Sequence, residues 1–473
     1  MIFARKIDVG RALAWLLTFI FLPVVGFVLY FFFGSTSKYR LFYHRFRFDT
    51  LSSAYREAIQ KNRTQLKSGQ ISVSPAVAEH YLDMVRMNQT NANSVYTTDN
   101  TVELLVDADA AYARMFAEIE AAKESVHVLY FIIKMQDDTG KRFLTLLEKK
   151  AREGVEVRVV YDLLGWLKNR RRDYRSLTDA GGMVYSYLPT LLSSVISVNY
   201  QMHRKIVVID GRIAYTGGIN IGDDYLGLDP KRTPWRDTAI RLTGSSVHAV
   251  QFRFLADWHY LDKQVRASKA YRDKVTDFAR LKGYFPPPAE TGTAGVQIVT
   301  SGPDQEYATI KDSYVKMVNS AKKYIYIQTP YLVPDESLTE ALRLAARGGV
   351  DVRVMIPGIP DKKFVYYITL SHVEELLRCG IKVYTHKGFL HAKTVVMDDC
   401  IASVGSANFD SRSFRLDYEM NALVYDEMFA RQCKNTFLAD VKNSRELTLE
   451  NHRKRNGLQK ICEGICRLIE PLV

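Results

Sequence analysis

His203-Arg-Lys-Ile-Val-Val-Ile-Asp210 and His391-Ala-Lys-Thr-Val-Val-Met-Asp398 open the same pattern, His-x-Lys-x4-Asp-x6-Gly-[Gly/Ser]-x-Asn. The first copy closes on Gly217, Gly218 and Asn220, the second on Gly405, Ser406 and Asn408. One copy alone is a weak motif, but two with the same tail are hard to obtain by chance. The plainer reading, two basic hairpins with solvated histidines, leaves the repeated tail unexplained. In each copy a short apolar run, Ile206 to Ile209 or Thr394 to Met397, reads as a buried strand. A turn follows at Asp210-Gly211 or Asp398-Asp399. The return strand then ends in glycine, where backbone can approach a ligand closely. His and Lys, two residues apart, point to the same side of a strand and can reach one phosphate.

The repetition extends outward. Val126 to Ile133 matches Tyr324 to Tyr331 in character, and Glu153 to Val160 matches Gly348 to Met355. Beyond the motif strands stand Asp237 and Glu419, and each half closes on Phe-Leu-Ala-Asp, at 254–257 and 437–440. A repeat of about 180 residues is a duplicated domain, too long for a solenoid unit. Alternating strands and helices predict an α/β fold of two pseudo-twofold-related lobes. Each lobe is expected to be a mixed β-sheet flanked by helices, with a transmembrane helix ahead of both. The expected boundaries are an anchor at 1–37, a mostly polar connector with helical patches at 38–95, and lobes at 96–283 and 296–473. The Pro-rich stretch 284–295 joins the lobes. Neither lobe carries a complete acid–base pair, so the site is expected at their interface.

Ala12 to Phe33 is apolar and uncharged. As one helix it would be about 33 Å long, enough to cross a hydrocarbon core. Pro23 and Gly26 would kink it, while Trp15 and Tyr30 stand where interfacial anchors do. A cleaved signal peptide is the competing reading; the run is too long and no small-x-small site follows. Arg5, Lys6 and Arg11 precede the span, and Lys38, Arg40, Arg45 and Arg47 follow it. That bias favours a catalytic body on the cytoplasmic side.

The net charge of +13 leaves nucleic acid and anionic lipid both open as partners. The densest basic stretches are Lys168 to Arg175 and His452 to Arg455, and the apolar span tips them toward lipid headgroups. Cys379, Cys400, Cys433, Cys462 and Cys466 form an odd, sparse set without metal spacing, which suggests reduced thiols. The terminal segment LQKICEGICRLIEPLV reads by default as a packing helix and more sharply as one touching a membrane surface. No Asp, Glu or His cluster has metal-site spacing, and no cofactor is expected.

Two imidazoles, two ammonium groups and two carboxamides suit phosphodiester exchange. That chemistry needs a nucleophile, an acid for the leaving alkoxide, and positive charge around the phosphate oxygens. The candidate catalytic set is His203, Lys205, Asp210, His391, Lys393 and Asp398. Lys205, Lys393, Asn220 and Asn408 are the candidates to hold non-bridging oxygens. Asp237 and Glu419 are the candidates to bond the far ring nitrogens of the two histidines, fixing their tautomer. Asp210 and Asp398 also admit a structural reading as pins for strand ends. His127 reads as a core residue; His248, His259, His372 and His386 have no partner pattern.

Longer signatures accompany the motifs. They include Leu22 to Phe27, Ser301-Gly-Pro-Asp304, Ile327-Gln-Thr-Pro-Tyr331, Gly388 to Lys393, Ser403 to Asp410 and Arg412 to Leu416. On these the chain resembles the phospholipase D superfamily, and within it the bacterial cardiolipin synthases, over nearly its whole length. The resemblance implies that two phosphatidylglycerol molecules give cardiolipin and glycerol through a phosphohistidine, a phosphatidyl-enzyme. One motif histidine would take the phosphatidyl group and the other serve as acid and base. His203 is favoured as nucleophile, though the duplication makes His391 nearly its equal. The implied partners are phosphatidylglycerol and anionic membrane lipids, not nucleic acid. The implied location is integral to the cell membrane, and oligomeric state stays open. A phospholipase D hydrolase or a phosphatidylserine synthase shares the same chemistry. A nuclease fits less well, since no interleaved aromatic and basic pattern is present. A non-catalytic lipid-binding scaffold fits poorly with two complete motif copies.

The chain departs from the family in two places. Members carry two N-terminal membrane helices, whereas this chain begins just before the counterpart of the second, which implies a reduced anchor or a truncated start. Tyr200-Gln-Met202 stands where members often have a basic-Asn pair. The apolar loop Leu188 to Leu192 reads equally well as an acyl-chain entrance or as core packing.

Overall fold

The apolar runs after the motif histidines are strands, Ile206–Ile209 and Thr394–Met397, with every residue buried. β-branched residues suit such a position, buried on both faces. The computed structural model describes residues 9–30, 49–187, 200–266, 283–289 and 291–470. Each motif strand lies between its antiparallel return strand, Ile213–Gly217 or Ile401–Gly405, and a strand from earlier in its half, Ser125–Tyr130 or Tyr324–Gln328. From there the sheet continues in parallel to Glu156–Asp162 and Met183–Tyr187 in the first half. In the second half it continues to Asp351–Pro357 and Lys382–His386. Parallel neighbours need a crossover connection, and the helices Asp138–Arg152 and Glu336–Arg347 supply the first in each half.

In the other direction the return strands pair with Thr238–Thr243 or Glu419–Tyr425. These pair in turn with Tyr96–Val106 or Ala294–Ser301. The last two strands then meet each other antiparallel, with Tyr96 opposite Gln297. The two separate sheets expected from the sequence are therefore one sheet of fifteen strands. Each first strand would otherwise present an open edge, and their mutual pairing satisfies both edges. Counted outward from and including this central pair, seven strands follow the same order on either side, as a pseudo-twofold axis through the pair would arrange them, and Ser444–Leu447 adds an eighth at the edge of the second half.

One face of the sheet carries a core common to both halves. Phe254 and Trp258 of helix Ser246–Arg266 and Phe429 and Phe437 of helix Glu427–Lys442 share it with Val208, Val296 and Val396. The opposite face carries a separate core for each half. The connector, expected to be mostly polar with helical patches, is helical over much of its described length. It forms helices Asp49–Lys67, Pro75–His80 and Leu82–Asn91, and Val77, Tyr81 and Met84 enter the second half's core.

The single N-terminal helix expected from the sequence is instead a hairpin of two short helices, Val9–Phe21 and Pro23–Leu29. Proline lacks an N–H, disfavours helix at the residue before it, and suits the first position of a new helix. The chain accordingly breaks at Leu22. The arms pack with the Tyr30 ring edge-on to Trp15 at 5.1 Å. Gly26 permits that approach, since a Cβ there would stand 2.8 Å from the Thr18 carbonyl oxygen. Among the described residues no helix is long and apolar enough to cross a membrane. Phe31 to Phe33, the basic residues Arg5, Lys6, Lys38, Arg40, Arg45 and Arg47, and the loop Leu188 to Leu192 lie outside the described residues.

Candidate active site

Both motif histidines sit just before their strands, and both return strands end beside them. Nδ1 of His203 lies 2.8 Å from Glu419 Oε1, and Nδ1 of His391 lies 2.7 Å from Asp237 Oδ2. The pairing is crossed: each half supplies the carboxylate for the other half's imidazole. A carboxylate at Nδ1 holds the proton there and leaves Nε2 as the ring atom that faces a substrate. Lys205 Nζ donates to the carbonyl oxygen of His203 at 2.6 Å, and Lys393 Nζ donates to that of His391. Both lysines are buried, and each ammonium keeps further N–H groups for an anion.

The electrostatics follow from burying so much charge. Burial, then the positive charges of Lys205, Lys393 and His391, hold His203 well below the ordinary histidine range. Burial and Lys393 also lower His391, against the opposing pull of Asp237. Burial lowers Lys205 to about 7, although Glu419 acts to raise it, and lowers Lys393 to about 8 against Asp237. Burial pushes Glu419 well up, against Lys205 and hydroxyl donation from Ser406. A dry pocket disfavours every one of these charges. An anion held by the lysines would relieve that cost for their charged forms.

The surroundings of the two histidines differ. His391 is enclosed by the rings of Tyr225, Trp235 and Phe389, with centroids 5.8 to 5.9 Å away. His203 meets the ring of Phe131 at 4.8 Å. The two carboxamides differ as well. Asn220 Nδ2 donates to Tyr225 at 2.6 Å and its Oδ1 accepts from the Ile132 N–H, so it braces the wall beside His391. The carboxamide oxygen of Asn408 is buried without a hydrogen-bond partner among the described residues.

Asp210 and Asp398, placed in the catalytic set from the motif, lie at the far ends of the motif strands from the histidines. Asp210 accepts the N–H groups of Lys123, Glu124 and Ser125. Asp398 accepts those of Lys322, Lys323 and Tyr324, and the Tyr81 hydroxyl at 2.9 Å. Each thus pins the start of the neighbouring strand. Their catalytic assignment is corrected to this structural one.

Sequence reasoning missed the groups that hold the carboxylates. Arg204 Nε donates to the Glu419 carbonyl at 3.2 Å while its guanidinium binds Asp257 at 2.7 Å. Asp257 also takes Arg253, which reaches Asp304 at 3.3 Å. On the other side Arg236 donates to the Asp237 carbonyl, and its Nε binds Asp440 at 2.9 Å. Asp257 and Asp440 close the two Phe-Leu-Ala-Asp repeats. That repetition was the available signal, and it marks the brace behind each carboxylate. Gly218 belongs to the same set, since a Cβ there would stand 2.1 Å from Asp237 Oδ1.

Comparison with known proteins gives a consistent result. A family model described as "Cardiolipin synthase, PLD-like domain" matches residues 115–230 and 314–441, and "Phospholipase_D-nuclease N-terminal" matches residues 1–35. The major cardiolipin synthase ClsA of Bacillus subtilis is 41% identical over 476 aligned positions, covering 100% of this chain and 96% of that protein. A cardiolipin synthase of Listeria monocytogenes is 39% identical over 474 positions, covering 100% of this chain and 95% of its own. Among solved structures, phosphatidylserine synthase of Haemophilus influenzae superposes with a TM-score of 0.62 at 16% identity. That match covers 83% of this chain and all of the other, and it speaks for the fold.

Proposed function

The chain belongs to the cardiolipin synthase family of phospholipase D-like proteins, and from that premise we propose that it is a phosphatidyltransferase converting two phosphatidylglycerol molecules into cardiolipin and glycerol. The observation that carries the mechanism is the crossed pairing of two imidazoles with two carboxylates beside two buried lysines. His203, held furthest toward its neutral form, attacks phosphorus through Nε2. The bond from phosphorus to the headgroup glycerol breaks as the P–N bond forms. His391, whose charged form Asp237 supports, passes its Nε2 proton to the departing glycerol oxygen. Now neutral, His391 takes the proton from the hydroxyl of a second phosphatidylglycerol. That oxygen attacks phosphorus, the P–N bond breaks, and His203 is restored. Lys205 and Lys393 hold the non-bridging oxygens throughout, a role suited to donors fixed before charge develops. Asn408 offers its unpaired carboxamide oxygen to a hydroxyl donor.

The same premise supports a membrane location for the apolar N-terminal hairpin, with the catalytic body on the cytoplasmic face and phosphatidylglycerol as the partner lipid. Incubating the detergent-purified protein with phosphatidylglycerol, and resolving lipids and glycerol, tests the reading. Cardiolipin and glycerol in equal amounts are expected. Phosphatidic acid alone would make the protein a hydrolase, and product only when serine is supplied with a cytidine-diphosphate lipid would make it a phosphatidylserine synthase.

A further inference from the structure

The C-terminal helix, Gly457–Ile469, is turned inside out relative to an ordinary surface helix. Its polar side faces the protein. Glu463 is buried and held by Arg455 through two bonds of 2.9 and 2.8 Å. Lys460 Nζ donates to the Arg453 carbonyl at 2.7 Å, and just past the helix Glu470 meets His372 at 3.0 Å. Its outward side carries Leu458, Ile461, Ile465 and Leu468, which are 75, 59, 53 and 78% exposed. Their spacing of three, four and three places them in one stripe. A single exposed leucine needs no explanation, but a continuous stripe does.

Two further observations say what covers it. An open groove beside the helix is lined by Arg378, Arg453, Arg455, Lys460 and Arg467 against only Glu374 and Glu463. Apolar side chains bordered by excess cations match a layer of anionic headgroups over acyl chains. A second copy of the chain would instead set like charges together. The helix is also seated on Lys363–Arg378, which starts beside the active site. Asp361, just before that helix, accepts the Tyr331 hydroxyl at 2.7 Å, and Thr369 within it accepts the Leu332 N–H at 3.2 Å. Leu332–Val333 pairs with Phe409–Asp410, next to the motif residue Asn408.

We propose that this helix lies in the headgroup layer of an anionic phospholipid bilayer, with its Leu458, Ile461, Ile465 and Leu468 edge among the acyl chains and the basic groove on lipid phosphates. The contact holds the active-site mouth against the membrane, a consequence that rests on the lipid-substrate reading above; the contact itself does not.

The full-length protein in phosphatidylglycerol vesicles carrying a photoactivatable acyl chain provides the test. Tryptic peptides Ile461 to Arg467 and Leu468 to Val473 are expected to carry label at least fivefold above a vesicle-free control. Label should fall several-fold in pure phosphatidylcholine vesicles. The double variant Ile461→Glu/Ile465→Glu should lose it from Leu468 to Val473 by at least fivefold while thermal unfolding is unchanged, since both side chains are exposed. No label above background, alongside a labelled N-terminal hairpin, would overturn the proposal. So would cross-linking of the helix to its counterpart in a second copy. Cardiolipin formation without this label would sink the inference and spare the reaction; label without cardiolipin would do the reverse.

Discussion

The two copies of the motif solve one problem with different parts. In the first half Gly218 leaves room for a short carboxylate, and Asp237 fits against it to reach His391. In the second half Ser406 stands in the glycine's place, and the longer Glu419 takes a hydroxyl bond from it while reaching His203. Side-chain length and neighbour size compensate, so both carboxylates arrive at Nδ1 across the central strand pair. The difference shows that duplication preserved the geometry of the imidazoles rather than the residues that produce it. It also leaves the histidines unlike in environment, one enclosed by three rings and the other meeting one among the described residues. That gives a physical basis for a division of labour.

The largest expected effect comes from removing either histidine. His203→Ala and His391→Ala should each lower cardiolipin formation by about 10⁴-fold or more, because residues acting as a unit fail together. Steady-state assays would show near-equal losses, and a variant that stayed within about tenfold of wild type would mark that histidine as dispensable. Next come the crossed carboxylates. Asp237→Asn and Glu419→Gln should each cost about 10² to 10⁴ in kcat by disturbing the tautomer of the opposite histidine. Gly218→Ala should approach the Asp237→Asn loss, since its methyl group displaces that carboxylate. If it stays within twofold of wild type, the close approach does not matter.

The braces rank third, through stability. Asp257→Asn leaves Arg204 and Arg253 without their shared buried partner and should cost about 3 to 5 kcal/mol in unfolding. Asp440→Asn weakens the bonds from Arg236 and Gln328, but Arg236 keeps Asp107 and the Asp237 carbonyl, so it should cost less; the reverse order in denaturation curves would break the comparison. Ser406→Gly removes the hydroxyl that donates to Glu419 and accepts the Met420 N–H, bonds of about 1 kcal/mol each, and should slow turnover by roughly tenfold or less. It should leave Gly218-dependent behaviour untouched.

The smallest effect is in pH. With Lys205 near 7 and Lys393 near 8 in the empty site, kcat/KM should decline a few-fold between pH 7 and 8 as the anion-binding charge is lost. Bound phosphate restores the protons, so the decline in kcat should begin at higher pH. Stability runs the other way. These lysines bind protons less well folded than unfolded, so their contribution rises with pH from about 7 toward the ordinary lysine value of 10.5. Coincident declines in kcat/KM and kcat would remove the lysines from phosphate binding.

Much of this was legible in the chain because it is written twice. The strands, the histidines, Asp237 and Glu419 all surfaced from comparing halves. What the comparison could not show is which half's carboxylate serves which imidazole, because crossing is a property of the interface. The strand and turn readings already allowed Asp210 and Asp398 to be pins for strand ends, but the spacing could not show which N–H groups they accept. The joined sheet was hidden because Tyr96–Val106 and Ala294–Ser301 carry no motif residue, and their pairing is a property of the interface. Pro23 was visible as a kink, yet the hairpin depends on Gly26 meeting Thr18 across it. Arg204 and Arg236 lay beside the named residues and were passed over, since nothing local distinguishes a buried arginine brace from a surface cation.

The central claim is that the two halves build one site in which His203 carries the phosphatidyl group and His391 moves the proton. Rapid mixing of wild-type protein with phosphatidylglycerol labelled at phosphorus, stopped in alkaline denaturant that preserves phosphohistidine, tests it most directly when the label is mapped by peptide. Label on the peptide containing His203, appearing faster than cardiolipin and chased by unlabelled phosphatidylglycerol, is the predicted result. Label on the His391 peptide would reverse the assignment, and no covalent label at any time during turnover would contradict the account.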